Sequence, residues 1–460
     1  MTHQFFLTPR ALYVLMMDAR KEAPNLAYWL KIISLLGKDS QDSTEKVRLL
    51  LVFNKRQNST GTPPQYQDTL QYYQDHLDVQ YLEVDFSEND KRFENLKDTI
   101  ERTLVTLPIV KSQLPRKWKD VREDLRQEAK SRTHISTERL AEICSKHSIT
   151  DEQDQLQLSD YLHKLGSLLH FQNDKTLINW VFLSPEWVVE GVYGFLKNDL
   201  IARQNGKFTE NDFFKILSTT KNDKNYTYTR ADSAKILQLM TKNNFDICYQ
   251  SANDNYVAAQ LLPENAPPQY KWSTHSGALK FRYQYPVMPK GLMSRLIVRL
   301  SEYLEIMDNV EVVWKKGAIL SIKTDKNDSK SLCRILMKED DAESKDGLRQ
   351  IIFEVMGDPE SHRKHALQRV REEVESLHKR WFRSIKADEM VPCCCSDCRL
   401  SLKPELYKLE KLLKLREKRS ETVCYSSGED ISIFQLLEGV YEDSEIRNMD
   451  SRHGFREYGG

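Results

Sequence analysis

The chain has 460 residues, 40% of them apolar, and its 68 basic side chains equal its 68 acidic ones in number. This length predicts about three domains. The balanced charge provides no bulk field toward nucleic acid or an anionic membrane, and no run approaches the roughly 18 apolar residues of a membrane span. Four of the eight cysteines lie between Cys393 and Cys398. Such clustering favours metal binding in a reducing, cytoplasmic compartment over a secreted disulfide framework.

Residues 1–107 alternate apolar runs with amphipathic segments. The runs predict strands at Ala11–Met17, Leu49–Phe53 and Val79–Val84, with helices at about Pro24–Leu36, Tyr66–His76 and Phe93–Leu104. Strands that alternate with helices indicate a parallel sheet with right-handed crossovers. Ligands of such sheets bind beyond the carboxyl ends of the strands, and here those ends carry Asp18, Asn54-Lys55 and Asp85.

Two stretches of this region are similar to a Roc domain, the Ras-like GTPase domain of the Roco family. THQFFLTPRALYVLMMDAR, residues 2–20, resembles the segment that follows the second switch. Asn54-Lys55 resembles the guanine-recognition loop N-K-x-D, which implies a degenerate guanine-binding site. Gln57 stands where that motif has Asp, and an amide cannot supply the charge-assisted acceptance of a carboxylate. The alternative interpretation is a polar turn at the end of a strand.

The phosphate-binding motifs of a GTPase do not occur in this sequence. It contains neither G-x-x-x-x-G-K-(S/T) nor the D-x-x-G of the second switch, so no loop is predicted to cradle phosphates or to place a hydroxyl on Mg²⁺. We therefore expect residues 1–107 to form the C-terminal half of a Roc domain. We expect GTP or GDP to bind only if the upstream half is present, so whether the protein is an enzyme stays open.

Residues 108–270 begin with a proline-containing linker, LPIVKSQLPRKW, and continue as helices interrupted by short strands. The predicted helices are Ile135–Ile149, Leu156–Leu169, a helix after the N-cap Ser184, Phe208–Leu217 and Ala231–Asn244, with a strand at Leu177–Leu183. This order predicts a winged-helix-like arrangement. A winged helix can bind DNA, but these helices lack a dense basic face, which favours a role in protein packing. Trp118, Val121, Arg122 and Leu125 resemble the W-x-x-V-R-x-x-L pattern with which Roc passes into the COR domain.

Residues 271–390 are predicted to form a strand, a helix and a hairpin between Phe281 and Lys323, then a charged loop at Lys338–Asp346, a strand at Ile351–Val355 and a helix to about Phe382. Tyr283, Tyr285 and the following M-P-x-G-L resemble the second half of a COR domain. Leu367, Val370, Val374, Leu377 and Trp381 form an apolar seam on the last helix. The seam is expected to pack against the COR core or against a second chain.

The tail, residues 391–460, contains a candidate metal site. Cys395 and Cys398 form C-x-x-C, a spacing that lets two thiolates face one tetrahedral ion. Cys393 supplies a third sulfur, and Cys424 a fourth after a predicted helix at Pro404–Glu417. The stretch is similar to the V-P-C-x-C-x-x-C tail that follows COR in Roco proteins. That match makes Cys394 spare, although spacing alone lets it replace Cys393. Four sulfurs leave no site for water, so we expect structural zinc, and the alternative is a set of reduced thiols.

The predicted fold class is thus α/β: a partial parallel Ras-like sheet, an α+β COR domain with a winged-helix-like first half, and a small cysteine-bearing segment. The resemblance implies a non-catalytic scaffold that forms a homodimer through COR. It also implies contacts with a GTPase core and with neighbouring repeat or kinase domains. The first alternative is the C-terminal fragment of an active Roco GTPase whose phosphate-binding half lies upstream of Met1. The second alternative, a metal-dependent nucleic-acid binder, is disfavoured by the neutral charge.

Overall fold

The computed structural model describes residues 11–18, 26–36, 46–55, 67–87, 91–107, 115–220, 226–242, 244–251, 255–273, 277–325, 331–340, 348–358, 360–382, 385, 387–399, 401, 403–438 and 440–441. The chain divides into two compact units. The first comprises Met1–Gln127, Ile143–Thr150 and Arg380–Lys386, and the second comprises Glu128–Glu142, Asp151–Lys379 and Ala387–Gly460. Every helix in the described part of the chain is too short or too polar to cross a lipid bilayer.

The first unit contains a three-stranded parallel sheet. Its elements are β1 (Tyr13–Asp18), α1 (Leu26–Leu36), β2 (Val47–Asn54), α2 (Gln67–Tyr73), β3 (Leu77–Val84) and α3 (Lys91–Thr106), followed by α4 (Arg116–Glu128). The strands lie in the order β1-β2-β3, with Tyr13 beside Leu49 and Leu49 beside Val79. The structure therefore confirms the predicted partial parallel sheet. Pro24, Gly37 and Gln57 lie outside the described residues.

The two faces of this sheet are buried to different extents at β1. Leu50 and Val52 of β2 lie in an apolar cluster with Leu96 of α3. Val14 pairs with Leu50 and Met16 with Val52, so all four side chains lie on the same face of the sheet. The exposed fractions of Val14 and Met16 are nevertheless 44% and 58%. In the described sheet β1 is an edge strand. This corner is therefore both apolar and open to solvent.

The second unit begins with the same arrangement twice in succession. The first copy contains β4 (His134–Ser136), α5 (Thr137–Lys146), α6 (Glu152–Lys164), β5 (Leu169–His170) and β6 (Trp180–Phe182). After α7 (Pro185–Leu196) and α8 (Asp199–Arg203), the second copy contains β7 (Lys207–Phe208), α9 (Glu210–Thr219), α10 (Arg230–Met240), β8 (Cys248–Gln250) and β9 (Tyr256–Ala258). Their antiparallel sheets have the orders β4-β6-β5 and β7-β9-β8. A strand, two helices and a hairpin whose last strand lies in the middle form a winged helix, so the region holds two tandem winged helices.

Helix caps explain several of the helix starts. The Ser184 side chain accepts a hydrogen bond from Trp187 N at the first turn of α7, with Pro185 as the first helical residue, as the sequence predicted. Thr209 and Thr229 form capping boxes at the starts of α9 and α10. The helix expected within Ile135–Ile149, with Ser136 or Thr137 as its cap, begins at Thr137. Ser136 Oγ accepts a 3.3 Å hydrogen bond from Arg139 N, and Ile135 pairs with Val181 in the first small sheet.

The remainder of the second unit contains a seven-stranded antiparallel sheet in the order β13-β14-β15-β16-β10-β17-β18. The elements of this part of the chain, in sequence order, are β10 (Leu279–Tyr285), α11 (Leu292–Arg299), β11 (Ile306–Met307), β12 (Val310–Glu311), β13 (Val313–Trp314), β14 (Gly317–Lys323), β15 (Leu332–Asp340), β16 (Arg349–Met356), α12 (Glu360–Trp381), β17 (Asp388–Pro392), α13 (Ser396–Arg399), β18 (Leu406–Lys408), α14 (Leu409–Arg416), β19 (Glu421–Val423), β20 (Asp430–Ser432) and α15 (Ile433–Glu438). Short 3₁₀ turns occur at Ala259–Leu261 and Ser301–Tyr303.

Helix α12 packs on β10, an internal strand of this sheet. The guanidinium of Arg371 lies 5.0 Å from the ring centroid of Phe281, and the His378 ring lies against Tyr283 and Tyr285. Four residues of the predicted seam have no exposed surface in the chain: Leu367, Val370, Val374 and Leu377. Of the two expected partners for this seam, the structure therefore selects the core of the same chain.

Three predictions in this region were wrong. The expected loop Lys338–Asp346 begins inside β15, and the whole strand Leu332–Asp340 was missed because its charged end hides the alternation of buried Cys333, Ile335 and Met337. The first strand of the expected hairpin, Val310–Trp314, is instead two strands that pair with different partners, β12 with β11 and β13 with β14. The expected helix Pro404–Glu417 starts only at Leu409, because Leu406–Lys408 extend the sheet beside β17.

Candidate metal centre

Four cysteines of the tail converge at the end of the seven-stranded sheet. Cys393 directly follows β17, and Cys424 directly follows β19. Cys395 immediately precedes the short helix α13, and Cys398 lies within that helix. Strand β17 is held between β10 and β18, which anchors the first three cysteines. The hairpin of β19 and β20 brings the fourth, because Cys424 N donates to Glu429 O at its turn.

The four sulfurs have the separations that a tetrahedral ion requires. Every pair lies within 4.8 Å, and Cys424 Sγ is 3.7 Å from both Cys395 Sγ and Cys398 Sγ. A tetrahedral zinc ion with Zn–S bonds of about 2.3 Å holds its sulfurs about 3.8 Å apart. All four are free thiols and are buried, with exposed fractions of 4% or less. Disulfide bonding therefore does not explain their convergence.

Backbone and hydroxyl groups surround these sulfurs as donors. Cys398 N lies 3.3 Å from Cys395 Sγ, Cys395 N lies 3.5 Å from Cys393 Sγ, and Glu405 N lies 3.5 Å from Cys398 Sγ. The Ser427 hydroxyl also lies 3.5 Å from Cys395 Sγ. Donors pointing at sulfur stabilise thiolate charge and orient the ligands. The tight turn at residues 393–398 thus already presents its sulfurs toward one point.

The thiols differ in their acidity without metal. Burial raises the pKa of Cys393 and raises that of Cys398 to about 11, whereas hydrogen bonds from Ser427 lower the pKa of Cys424 to about 6. Metal binding to such a set releases protons, since each ligand must be a thiolate. Cys394 is partly exposed and does not belong to the cluster. Of the two alternatives left open by spacing, the geometry brings Cys393 to the other three sulfurs.

The chemistry of this set suits a structural zinc ion. Four sulfurs complete a tetrahedral shell and leave no position for water or substrate, unlike catalytic zinc sites, which keep one open. Cys393, Cys395, Cys398 and Cys424 would hold the ion. An ion there would join the β19–β20 hairpin to α13 and the end of β17. Cys424 lies 26 to 31 residues after the other three cysteines in sequence.

The predicted guanine-recognition pair lies at the carboxyl end of β2, and both Asn54 and Lys55 are half-buried. Asn54 Oδ1 accepts a 3.4 Å hydrogen bond from Phe86 N, and Lys55 N donates to Val84 O. Asp85 is 1% exposed and accepts from Ser87 N at 2.9 Å. The structure therefore joins Asn54 to the turn after β3, residues Asp85–Ser87. Sequence reasoning noted Asp85 as a strand end but missed the contact of Phe86.

The buried histidine of the first winged helix, His170, has a packing role. His170 hydrogen-bonds to Ser159 through Nδ1 at 2.9 Å and to Ile178 O through Nε2 at 2.9 Å. Burial lowers its pKa. With 4% of its surface exposed, this pair of hydroxyl and imidazole is closed to substrate.

Comparison with known proteins identifies most of the second unit. Residues 115–262 match the family model of the COR-A domain (C-terminal of Roc), and residues 276–439 match that of the COR-B domain. The chain belongs to the Roco family. Its tandem winged helices lie in COR-A, and its seven-stranded sheet and the four clustered cysteines lie in COR-B.

Roco relatives are considerably longer than this chain. A probable serine/threonine-protein kinase pats1 of Dictyostelium discoideum is 22% identical over 341 residues, 69% of this chain and 10% of the kinase. A Roc-COR-CHAT protease of Runella zeae is 22% identical over 302 residues, 64% of this chain and 29% of the protease. The structure of Methanosarcina barkeri Roco2 RocCORdC bound to GDP is 25% identical, with a TM-score of 0.43, and covers 57% of this chain and 76% of that one. The chain thus spans less than a third of the length of the kinase and of the protease.

Proposed function

We propose that this Roco chain is a non-catalytic scaffold of intracellular signalling, which dimerises through COR and links a GTPase core to neighbouring domains. The observation that carries the proposal is the pair of COR matches over residues 115–262 and 276–439. In the described part of these domains, the chemistry-bearing cluster is a set of four buried thiols, whose chemistry is structural. The names of the relatives, a kinase and a protease, are consistent with COR as a module between other domains.

The dimer contact requires surface other than strand β10 and the seam of α12. Tyr283 and Tyr285 are 2% and 0% exposed, and the seam of α12 is buried in the same chain. In COR-B, large apolar side chains that remain exposed lie mainly on the cysteine-bearing segment: Val423, Tyr425 and Phe434, at 41%, 86% and 44%. Exposed aromatic residues are frequent anchors of protein interfaces. We therefore place the dimer contact on this segment.

Sedimentation of the full chain tests the proposal. We expect a dimer at micromolar concentration, and a double substitution of Tyr425→Ser and Phe434→Ser should weaken association at least tenfold. Tyr72→Ser is the matched control, because Tyr72 is 80% exposed but belongs to the first unit. A concentration-independent monomer into the high micromolar range contradicts dimerisation.

The proposal includes a structural zinc ion held by Cys393, Cys395, Cys398 and Cys424. The support is the 3.7 Å spacing of their sulfurs, their burial and the closed four-sulfur set. The ion fastens residues 393–438 onto the edge of the seven-stranded sheet. It thereby positions the apolar side chains that we assign to the dimer contact.

A second candidate function is supported by the open corner of the first unit. The chain would then be the C-terminal part of a working Roco GTPase, with Asn54 and Lys55 as a degenerate guanine-binding pair. Edge strand β1 with exposed Val14 and Met16 favours this candidate, because a further parallel strand would cover both. Sequencing the transcript upstream of the Met1 codon tests it: an in-frame G-x-x-x-x-G-K-(S/T) supports the enzyme, and an upstream stop codon contradicts it.

A further inference from the structure

The loop between α10 and β8, residues Asn244–Asp246, is buried although it is polar. Asn244 and Asp246 are 1% and 0% exposed. The loop closes the carboxyl end of α10, since Phe245 N donates to Leu239 O at 2.9 Å and Ile247 N to Met240 O at 2.8 Å. Asp246 has φ of +51°, a left-handed conformation that Asp and Asn tolerate better than other side chains. The loop is therefore a rigid cap with a fixed carboxylate.

Two arginines of COR-B bind this COR-A loop. Arg295, with no exposed surface, donates to Phe245 O. Arg299 Nε lies 3.3 Å from Asp246 Oδ1. These arginines are four residues apart and so lie on one face of α11, a helix whose eight residues are all buried. A guanidinium in such surroundings is stable only while its acceptors remain in place.

The same loop also contacts the other parts of the COR region. Asn244 Nδ2 donates to Asp174 Oδ2 at 2.9 Å, and the Phe245 ring lies against Phe171 at 5.7 Å, both in the first winged helix. From the other side, Arg299 reaches α12, where Ser376 Oγ is 3.3 Å and Glu373 Oε2 is 3.9 Å away. Three residues thus join both winged helices to the helices that cover the seven-stranded sheet.

The buried charges oppose partial displacement at this junction. A small slip of α11 past the loop would separate Asp246 from Arg299 while both remain buried, and loss of a buried ion pair costs far more than loss of a surface one. Complete separation, in contrast, lets both charges rehydrate. The surrounding seam is also polar: Glu311 of COR-B accepts from Tyr249 at 2.8 Å and from Ser251 at 2.7 Å. Partial displacement of α11 along the loop is therefore penalised relative to the docked arrangement.

We propose that the Asn244–Asp246 loop, bound by Arg295 and Arg299, is a joint that makes COR-A and COR-B move as one body. The joint is the means by which a displacement imposed on COR-A reaches the seven-stranded sheet, and this significance rests on the linking of domains proposed above. Its existence does not depend on dimerisation or on a nucleotide.

Hydrogen exchange of the full-length chain, followed by mass spectrometry, tests the joint. Asp246→Asn keeps the left-handed backbone and the side-chain size but removes the charge that faces Arg299. We expect amides of both α11 and β8 to exchange at least tenfold faster. The control is Lys242→Met, which removes an exposed pair across the same seam, Lys242 with Glu302 at 2.9 Å and with side chains 32% and 54% exposed. It should change exchange less than twofold.

A double variant distinguishes coupling from ordinary loss of packing. Asp246→Asn with Arg299→Met removes both charges of the Asp246–Arg299 pair, so we expect it to recover most of the protection that Asp246→Asn loses. Three results would overturn the joint: unchanged exchange in Asp246→Asn, faster exchange confined to β8, or additive effects in the double variant. Sedimentation of the same samples reports dimerisation separately, so a monomeric chain with a coupled joint would contradict only the scaffold's dimerisation.

Discussion

The cysteine cluster and the Asn54–Lys55 pair both carry sequence motifs, but they differ in their burial and in how many ligand groups the fold brings together. In the tail, four thiols converge within 4.8 Å and are buried. At the end of β2, Asn54 and Lys55 are half-buried and their nearest described partners are backbone groups of residues 84–86. A ligand site needs several donors that face one point, and among the described residues of these two regions the cysteine cluster shows them. Motif similarity is thus a strong guide where local turns impose convergence, and a weak one where distant loops must supply it.

The completeness of the surrounding sheet underlies this difference. The cysteine turn follows β17, an internal strand of a seven-stranded sheet, whereas Asn54 ends a strand in a described sheet of three. On the open side of that smaller sheet, Val14 and Met16 remain exposed. The following predictions test whether the cysteine cluster binds a metal ion, and whether the smaller sheet self-associates or its Asn54–Lys55 end binds nucleotide.

The largest expected effect is loss of the metal centre. Cys395→Ser or Cys398→Ser should reduce zinc, measured after purification without added metal, from about one per chain to a small fraction. It should also make residues 391–441 sensitive to protease, since structural zinc contributes on the order of 10 kcal/mol to the segment it closes. Cys394→Ser is the control and should keep both properties. Equal, low zinc and equal protease sensitivity in all three variants would rule the centre out.

The next effect concerns the open corner of the first unit. Residues 1–107 expressed alone should be insoluble or oligomeric, because an unpaired apolar edge strand invites self-association. Met16→Lys should increase the soluble monomer several-fold by charging that edge, whereas Tyr72→Ser, on α2, should not. A monomeric fragment with a well-dispersed NMR spectrum would show that the corner is covered within the fragment.

Acidification should destabilise COR-B through His378. Burial lowers its pKa to about 4, with Glu389 opposing that shift, and its Nε2 lies 3.0 Å from the Tyr285 hydroxyl. Its folded-state pKa is below the ordinary 6.5, so the unfolded chain takes up the proton first and stability falls as pH drops below about 6.5. The loss is about 2 kcal/mol between pH 6.5 and pH 5.

Chemical denaturation at several pH values measures this effect. His378→Gln keeps a hydrogen-bonding partner for Tyr285 without titrating, so its pH dependence should be flatter than that of the unsubstituted chain. Identical slopes for both proteins would assign the acid sensitivity elsewhere, His170 being the next candidate because burial also lowers its pKa.

The smallest expected effect is that of nucleotide on the chain. We expect no appreciable GTP binding or hydrolysis, because the sequence has no phosphate loop and Gln57 replaces the Asp of the guanine motif. Gln57→Asp should not restore binding, since recognition of the base alone leaves the phosphates unbound. Micromolar binding of a fluorescent GTP analogue, displaced by GTP but not by ATP, would contradict this prediction.

Much of the fold was predictable where one local signal dominates. The continuous apolar strands of the first unit, the Ser184-Pro185 helix start and the seam of α12 are examples, because burial period and capping depend on neighbours in sequence. Strands of two or three residues, such as β5 and β7, carry too few residues to show alternation. These short strands form because they pair with neighbouring strands in the folded chain. The sequence therefore predicted one winged helix, whereas the structure contains two.

The sequence by itself determined the family, the parallel start of the chain and the four clustered cysteines, three of which lie within six residues. Tertiary structure alone decided that Cys393 rather than Cys394 joins the cluster, that the α12 seam faces its own sheet, and that Asp246 meets Arg299. The last pair is separated by 53 residues, and neither side chain differs in sequence from the many charged residues on the surface. Their burial arises only when COR-A and COR-B pack together, because a charge acquires its significance from the partners and solvent around it.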